Sequence, residues 1–353
     1  MTHLRVEKMD AGLADAYTTL SGTAFDDPAQ CDPKHIVWKH VATPNGPSTA
    51  YHLYDGDTLV GRTLSQPRTL KINGGRLNGA FMIDLYIHPD YRGGLNFMKV
   101  MEAVEADPTF DFICHSSNET SDMLFREMLK RPHPIKLAAF GVPLRISRLQ
   151  VSAPLKQFVS LFQPLIRFAL RVCAAAVTRN ASFVLRDETP SSAEFDRVRT
   201  EFEEAAGAQF ERSLEFLDWR FKASPCWDGS VRHLYSGDRY RGYIAFSHAE
   251  IMGGRFCILS DAMIDPDLTA HERTQLRYAV LNEAMNNNFD AVYGMLNLDN
   301  PISQSLLGFP FVKIPEDFLP HPVPLFVYAR QEVAAPLETE TSTYVTLGDL
   351  DYF

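Results

Sequence analysis

Two stretches of the chain are variations on one theme, and this limits what it can fold into. Asp111-Phe-Ile-Cys-His-Ser-Ser-Asn118 and Asp290-Ala-Val-Tyr-Gly-Met-Leu-Asn297 each run from an aspartate through an apolar strand-like segment to an asparagine that opens a helical stretch. Self-similarity of this kind points to one supersecondary unit used twice. At 353 residues the chain is also long enough that two cores are expected rather than one.

The elements around the two copies follow the same order. Residues 1–30 read as helical. Strand-like runs at Ser48–Tyr54, Thr58–Ser65, Arg68–Ile72 and Ala80–Ile87 are separated by the turn signals Asp55-Gly56 and Gly74-Gly75. The turn His88-Pro-Asp-Tyr-Arg-Gly-Gly94 leads into a helix over Asn96–Ala106, with Phe97, Val100, Met101 and Val104 at helical spacing. A strand over Phe110–His115 and a helix from about Glu119 to Lys130 complete this half. In the second half, helices at Glu194–Ala206 and Leu214–Phe221 precede strands at Val231–Tyr235, Gly242–Ser247 and Phe256–Ile264. A helix over Thr269–Asn286, a strand over Ala291–Leu296, the segment Pro301–Leu307 and a strand over Pro324–Ala329 follow. A meander carrying a βαβα unit predicts a mixed α/β sheet in each half. The expected division is a first domain at 1–132, a linker at 133–186, a second domain at 187–332 and a tail at 333–353.

The net charge of −10 argues against nucleic acid as a partner. Met1–Asp10 lacks the basic start and apolar run of a secretory signal, and no apolar stretch is long enough to span a bilayer, so a cytoplasmic location is expected. Cys31, Cys114, Cys173, Cys226 and Cys257 are scattered, without a C-x-x-C pair, and read as buried, reduced thiols. No His/Cys/Asp/Glu group has metal-ligand spacing, so no metal is expected.

The strongest local motif is Asp84-Leu-Tyr-Ile-His-Pro-Asp-Tyr-Arg-Gly-Gly94 at the start of a helix. Glycines there present backbone N–H groups and the positive end of the helix dipole to a diphosphate, and Arg92 adds a charged donor. An ordinary strand-to-helix turn is the other reading of the same residues. Together with the element order, the motif resembles the acyl-CoA-binding segment of the GNAT acyltransferase superfamily, in which a hydrophobic strand leads to His-Pro-x-x-Arg-Gly and further glycines. The glycine run is shorter here: Arg92-Gly93-Gly94-Leu95-Asn96-Phe97 stands where the family commonly has Arg-Gly-x-Gly-x-Gly or Ala. Asn118 and Ser121 match the family's asparagine and small residue after the fifth strand, whereas Phe125 stands at the place of its usual tyrosine. In the second half, Asn297 and Gly308-Phe309 fit the spacing, but Ile264–His271 contains no glycine.

The resemblance implies two tandem GNAT-like domains joined by a basic amphipathic segment, with acyl-CoA bound in the first and the second degenerate. It assigns coenzyme binding to Tyr86, Ile87, Arg92, Gly93, Gly94, Asn96, Asn118 and Ser121. Transfer of an acyl group from a thioester to an amine needs a proton acceptor near the parting of the fourth and fifth strands. Asp84 and His115 are the preferred bases, and His88 is a further candidate; each is alternatively a hydrogen-bonded structural residue. Tyr86 either lines the pantetheine channel or packs. Within the superfamily the chain looks like tandem bacterial proteins of polysaccharide assembly and of lipid-amine acylation; Leu217-Asp-Trp-Arg-Phe221 and the Tyr344–Asp351 tail have the same character.

From Met128 to Arg186 there is no acidic residue, against ten cations: Lys130, Arg131, Lys136, Arg145, Arg148, Lys156, Arg167, Arg171, Arg179 and Arg186. Within 153–179, Lys156, Ser160, Gln163, Arg167 and Arg171 form one helical stripe on a broadly apolar surface that includes Phe158, Leu161, Phe162, Leu165, Ile166, Phe168 and Leu170, with Pro164 dividing it into two short helices. Such a segment suits an anionic membrane interface; the alternative is a connector buried between the domains. The expected activity is transfer of an acyl group from acyl-CoA to the primary amine of a membrane-associated acceptor, such as a sphingoid base. The alternatives are N-acetylation of an amino-sugar and an inactive scaffold.

Overall fold

A computed structural model describes the chain apart from residues 24–27, 146–152, 180–182, 252, 316–322 and 351–353. Arg148 and Asp351 therefore lie outside the described residues, as do the side chains of Lys156, Phe158, Ser160, Leu161 and Phe162.

The meander of the first half is β2 (Thr49–Asp55), β3 (Thr58–Ile72) and β4 (Gly75–Ile87). The runs on either side of Pro67 are one long strand, because Pro67 stays in register opposite Ala80. Residues 1–30 are not uniformly helical: β1 (Thr2–Lys8) precedes α1 (Ala14–Ser21), and α2 (Pro33–His40) follows. β1 is an edge strand paired with β2, with several side chains in solvent, so apolar alternation is weak there. After β4 come α3 (Gly94–Ala106), β5 (Phe112–Ser116) and α4 (Glu119–Met123), which continues as a wider turn over Leu124–Met128.

Next are β6 (Ile135–Pro143), α5 (Ala153–Thr178), β7 (Phe183–Arg186), α6 (Ser192–Ala206), β8 (Ala208–Phe210) and α7 (Leu214–Leu217). The second meander is β9 (Gly229–Ser236), β10 (Arg239–Ile251) and β11 (Gly254–Ile264), followed by α8 (Ala270–Asn286), β12 (Ala291–Asn297), α9 (Pro301–Leu306), β13 (Val312–Lys313) and β14 (Pro324–Ala329). α5 is one helix, not two, since Pro164 sits inside it without ending it; a proline removes one backbone donor but tertiary packing can hold the helix through the gap.

The strands join in one sheet whose order is a palindrome: β1-β2-β3-β4-β5-β14 meets β6-β12-β11-β10-β9-β7. The repeat in the sequence is thus a pseudo-twofold in the sheet, with the antiparallel β14 and β6 at its centre. The halves also trade strands. β6, reached from the first half, pairs with β12, and β14, reached from the second, pairs with β5. The segment expected as a linker therefore contributes two sheet strands as well as a helix. The segment expected as a tail enters the core, where Tyr344, Val345, Leu347 and Leu350 are buried.

Of the cysteines, only Cys114 and Cys257 are buried. Cys31, Cys173 and Cys226 are exposed, Cys31 in a short turn and Cys173 on α5 beside Tyr278 of α8, so the expectation of five buried thiols is corrected.

Candidate acyl-CoA cleft

β4 and β5 run parallel but pair only at Gly79–Phe112, Ala80–Ile113 and Phe81–Cys114. Beyond Phe81 the strands part, leaving the edge of β4 from Met82 to Ile87 without a β5 partner. Two cavities occupy the gap. One, of about 700 Å³, is lined by Leu85, Tyr86, Ile87, Arg92, Gly93, Gly94, Phe97, Asn118, Ser121, Leu124 and Met128. The other, of about 270 Å³, is lined by Gln30, Met82, Ile83, Asp84, Leu85, Ser116, Ser117, Asn118, Ser121 and Phe125. Of the eight residues expected to bind the coenzyme, seven line the larger cavity.

Gly93 is the N-cap of α3, extended and without a side chain to cap the helix. A Cβ added to Gly93 or Gly94 would meet nothing within 4 Å, so the first amides of α3 open on free space. Arg92 lies over the Tyr86 ring at 5.7 Å and donates through Nε to the Ile87 carbonyl (3.0 Å), which fixes the guanidinium at the rim. The Tyr86 hydroxyl donates to the Thr23 carbonyl (3.3 Å), so this ring both packs and lines the cavity. Asn118 caps α4: its Oδ1 accepts from the Ser121 amide at 2.9 Å and from Ser121 Oγ at 3.0 Å. Asn96 is the exception. Its amide donates to the Tyr91 carbonyl and its carbonyl accepts from Thr2, so it ties α3 to β1 outside the cavity.

The three base candidates are not brought together. Asp84 faces the smaller cavity from a bulge in β4, where its φ of +52° marks the break in pairing with β3. Lys39 donates to Asp84 Oδ1 and His40 Nε2 meets Oδ2, each at 2.9 Å. Burial alone would raise this carboxyl, but Lys39, then His40 and Arg62, hold it well below the usual carboxylate range. His88 instead caps the short turn Pro89–Tyr91, accepting from the Asp90 amide at 3.3 Å. The His115 ring lies 3.9 Å from Phe125 and 4.9 Å from Phe326, centroid to centroid, and burial pushes its pKa down to about 3, so it stays neutral. Phe125, at the family's tyrosine place, is buried in the same aromatic stack and supplies no acid.

The surroundings of Asp84 went unread in the sequence. Arg62, fully buried on β3, donates to the Tyr17 carbonyl (3.0 Å) and Ser21 Oγ (2.7 Å), with its guanidinium 4.1 Å above the Tyr17 ring. A charged residue between Val60 and Leu64 in a buried strand was the available signal; nothing local linked Lys39 and His40 to Asp84.

The second half has the same plan with its cleft closed. Asp84 lies five residues past Gly79, which pairs with Phe112, and Asp261 lies five past Phe256, which pairs with Ala291. Both are buried aspartates beside a cation, Arg212 in the case of Asp261 (3.1 Å). The gap there holds only about 50 Å³ among Phe140, Leu306, Phe311, Arg277 and neighbours, far below the size of a ligand pocket. Thr269 and Glu272 cap the start of α8 reciprocally, placing a carboxylate where α3 offers bare amides.

No family model and no curated protein matches the chain. Solved structures do, at low identity. A GCN5-related N-acetyltransferase from Kribbella flavida is 12% identical with a TM-score of 0.60, over 94% of this chain and 73% of that one. A probable N-acyltransferase from Enterococcus faecalis is 11% identical with a TM-score of 0.59, over 93% and 73%. Saccharomyces cerevisiae N-myristoyltransferase with bound myristoyl-CoA is 12% identical with a TM-score of 0.56, over 92% and 79%. The chain has the GNAT fold these proteins share, as its motifs led one to expect.

Proposed function

We propose that this chain is an acyl-CoA-dependent N-acyltransferase working from the cleft of its first half. One observation carries the reading: α3 begins with uncapped, unobstructed glycines that open on a cavity of about 700 Å³ between parting strands, while the equivalent start in the second half is capped and its gap filled. The diphosphate takes the amides at Gly93, Gly94 and Leu95 with Arg92 beside it. The pantetheine runs along the β4 edge past Tyr86 and Ile87, and the thioester meets the acceptor near Asp84. The amine nitrogen attacks the thioester carbonyl, the carbon–sulfur bond breaks, an amide forms and coenzyme A leaves as its thiol. Asp84, the base candidate that faces a cavity, orients the amine through its ionised carboxylate and passes the amine's proton on to solvent, its own pKa being held low, against burial, by Lys39 and His40.

The acceptor in this reading is the primary amine of a membrane-associated amphiphile such as a sphingoid long-chain base, met at the inner face of the membrane. The apolar walls at Leu85, Phe97, Leu124 and Met128 support a greasy substrate. The test is calorimetry with acetyl-CoA and a long-chain acyl-CoA, then transfer assays with sphinganine and with an amino-sugar nucleotide. Binding of the long-chain donor and amide formation on sphinganine are expected. Failure to bind either donor overturns the enzyme reading, and transfer to the sugar alone overturns the acceptor.

A further inference from the structure

Among its described side chains, α5 packs on α8 along one side. Leu170 and Ala174 enter the core of the second half and Val177 packs against it. At helical spacing on the opposite side, Leu165, Phe168 and Val172 are 65%, 66% and 50% exposed. Arg171 and Arg179 flank these residues in solvent. The stripe read from the sequence is thus partly turned over: Gln163 and Arg167 are half-buried, and it is apolar residues that face outward. A helix that buries one face and leaves large apolar groups on the other has kept that second face for something.

We infer that the outer face of α5 is a docking surface for an anionic lipid leaflet, with Leu165, Phe168 and Val172 entering the headgroup and acyl boundary and Arg171 and Arg179 meeting lipid phosphates. Charge selects this occupant. Arg171 and Arg179 stand in solvent beside the apolar residues, in a segment from Met128 to Arg186 that has no carboxylate of its own inside a chain of net charge −10, whereas Arg131 and Arg145 of the same segment are paired elsewhere, with Glu105 and Asp290. A second copy docked symmetrically would set the cations of one α5 against those of the other, which disfavours that alternative. No helix among the described residues is long and apolar enough to cross a membrane, so contact of this kind is peripheral. The inference rests on the reading of a membrane-associated acceptor, but the surface can be tested without catalysis.

The experiment is co-sedimentation of the full chain, without acyl donor, with vesicles of phosphatidylcholine alone or mixed equally with phosphatidylglycerol. The wild type is expected to sediment with the mixed vesicles and to be released by salt. Arg171→Gln with Arg179→Gln should weaken partition roughly 30-fold, at about 1 kcal/mol for each cation near the leaflet. Leu165→Ser with Phe168→Ser should abolish it while leaving thermal unfolding and transfer to a short water-soluble amine unchanged. A wild type that stays in the supernatant, or serine variants that sediment as it does, would overturn the inference. So would a wild-type dimer that the serine variants convert to monomer without any effect of vesicles. If the wild type binds vesicles but acylates no long-chain amine, the docking surface stands and the acceptor reading falls.

Discussion

The indole N–H of Trp38 donates to the carbonyl of Trp219 (2.7 Å), and that of Trp219 donates back to the carbonyl of Trp38 (3.0 Å), with the rings stacked 5.3 Å apart. Trp38 is on α2 of the first half and Trp219 follows α7 of the second, so the pair links the halves in addition to the strand exchange. Each ring satisfies a buried carbonyl that would otherwise lack a donor. Trp38→Phe keeps an aromatic ring but strands the Trp219 carbonyl, and the expected loss is about 2 kcal/mol. Urea unfolding followed by the remaining tryptophans should show a lower midpoint with an unchanged slope; an unchanged midpoint would mean the pair contributes nothing.

Substitution at the glycine turn should separate binding from folding. Gly93 is extended, and an added Cβ meets nothing within 4 Å, so Gly93→Val is sterically tolerated and costs the fold about 1 kcal/mol, as valine is a poorer N-cap than glycine. The branched side chain would stand in the space given to the diphosphate and weaken coenzyme binding by about tenfold or more. Calorimetry with coenzyme A beside a thermal melt checks both expectations, and undiminished affinity would move the coenzyme elsewhere.

Much of this cleft was legible because its features are local. The glycine turn, the asparagine cap and the helical spacing of Phe97, Val100, Met101 and Val104 all lie within a few residues of one another, and the second copy of the pattern announced the repeat. The strand exchange was hidden because pairing of β14 with β5 joins Phe326 to His115 across most of the chain, and no periodicity encodes so distant a partner. The setting of Asp84 was half legible for the same reason: its place on the strand is local, its partners Lys39 and His40 are not. For His115 the sequence gives the residue type and not the phenylalanines that desolvate it.

Those buried histidines set the response to acid. His115 is pushed down to about 3, and His40 and His233 to about 4, chiefly by burial. Each binds its proton near pH 6.5 when unfolded and only at lower pH when folded. The unfolded state therefore takes up protons first, and stability falls as pH drops from about 6.5 towards 4, with no contribution above that window. Chemical unfolding across pH 4–8 should show this slope, and His115→Leu should flatten it without abolishing acyl transfer. Complete loss of transfer in a folded His115→Leu protein would restore this residue as a base.

Asp84 works in the opposite sense. Its carboxyl is held below its ordinary range, so its contribution is present above pH 3.8 and is lost as pH falls through the lower folded value. Lys39→Met would leave that carboxylate buried with His40 and the more distant Arg62, at a cost of about 3 kcal/mol. Asp84→Asn, which tolerates the positive φ, should cost less when combined with Lys39→Met than the two changes summed. In transfer assays Asp84→Asn is expected to lower kcat by about a hundredfold while coenzyme affinity, measured by calorimetry, holds. Additive costs would mean that the pair does not interact, and full activity would remove Asp84 from the chemistry.

Because of the exchanged strands, the two halves are expected not to fold apart, despite the repeat that relates them. A chain ending at residue 150 would have β5 without β14, leaving its edge open, and β6 without β12, although Leu137, Ala139, Phe140 and Val142 are all buried in the whole molecule. The complementary piece would lack β6 and present the free edge of β12. Open apolar edges of this kind recruit other chains, so each fragment expressed alone should aggregate. Co-expressed, the fragments should recover a soluble complex, because β6 and β14 can still reach their partners and pair with each other across the pseudo-twofold. Size-exclusion chromatography after co-purification reads the result. A monomeric, cooperatively folded fragment of residues 1–150 would show that the exchange is dispensable and that the halves are independent domains after all.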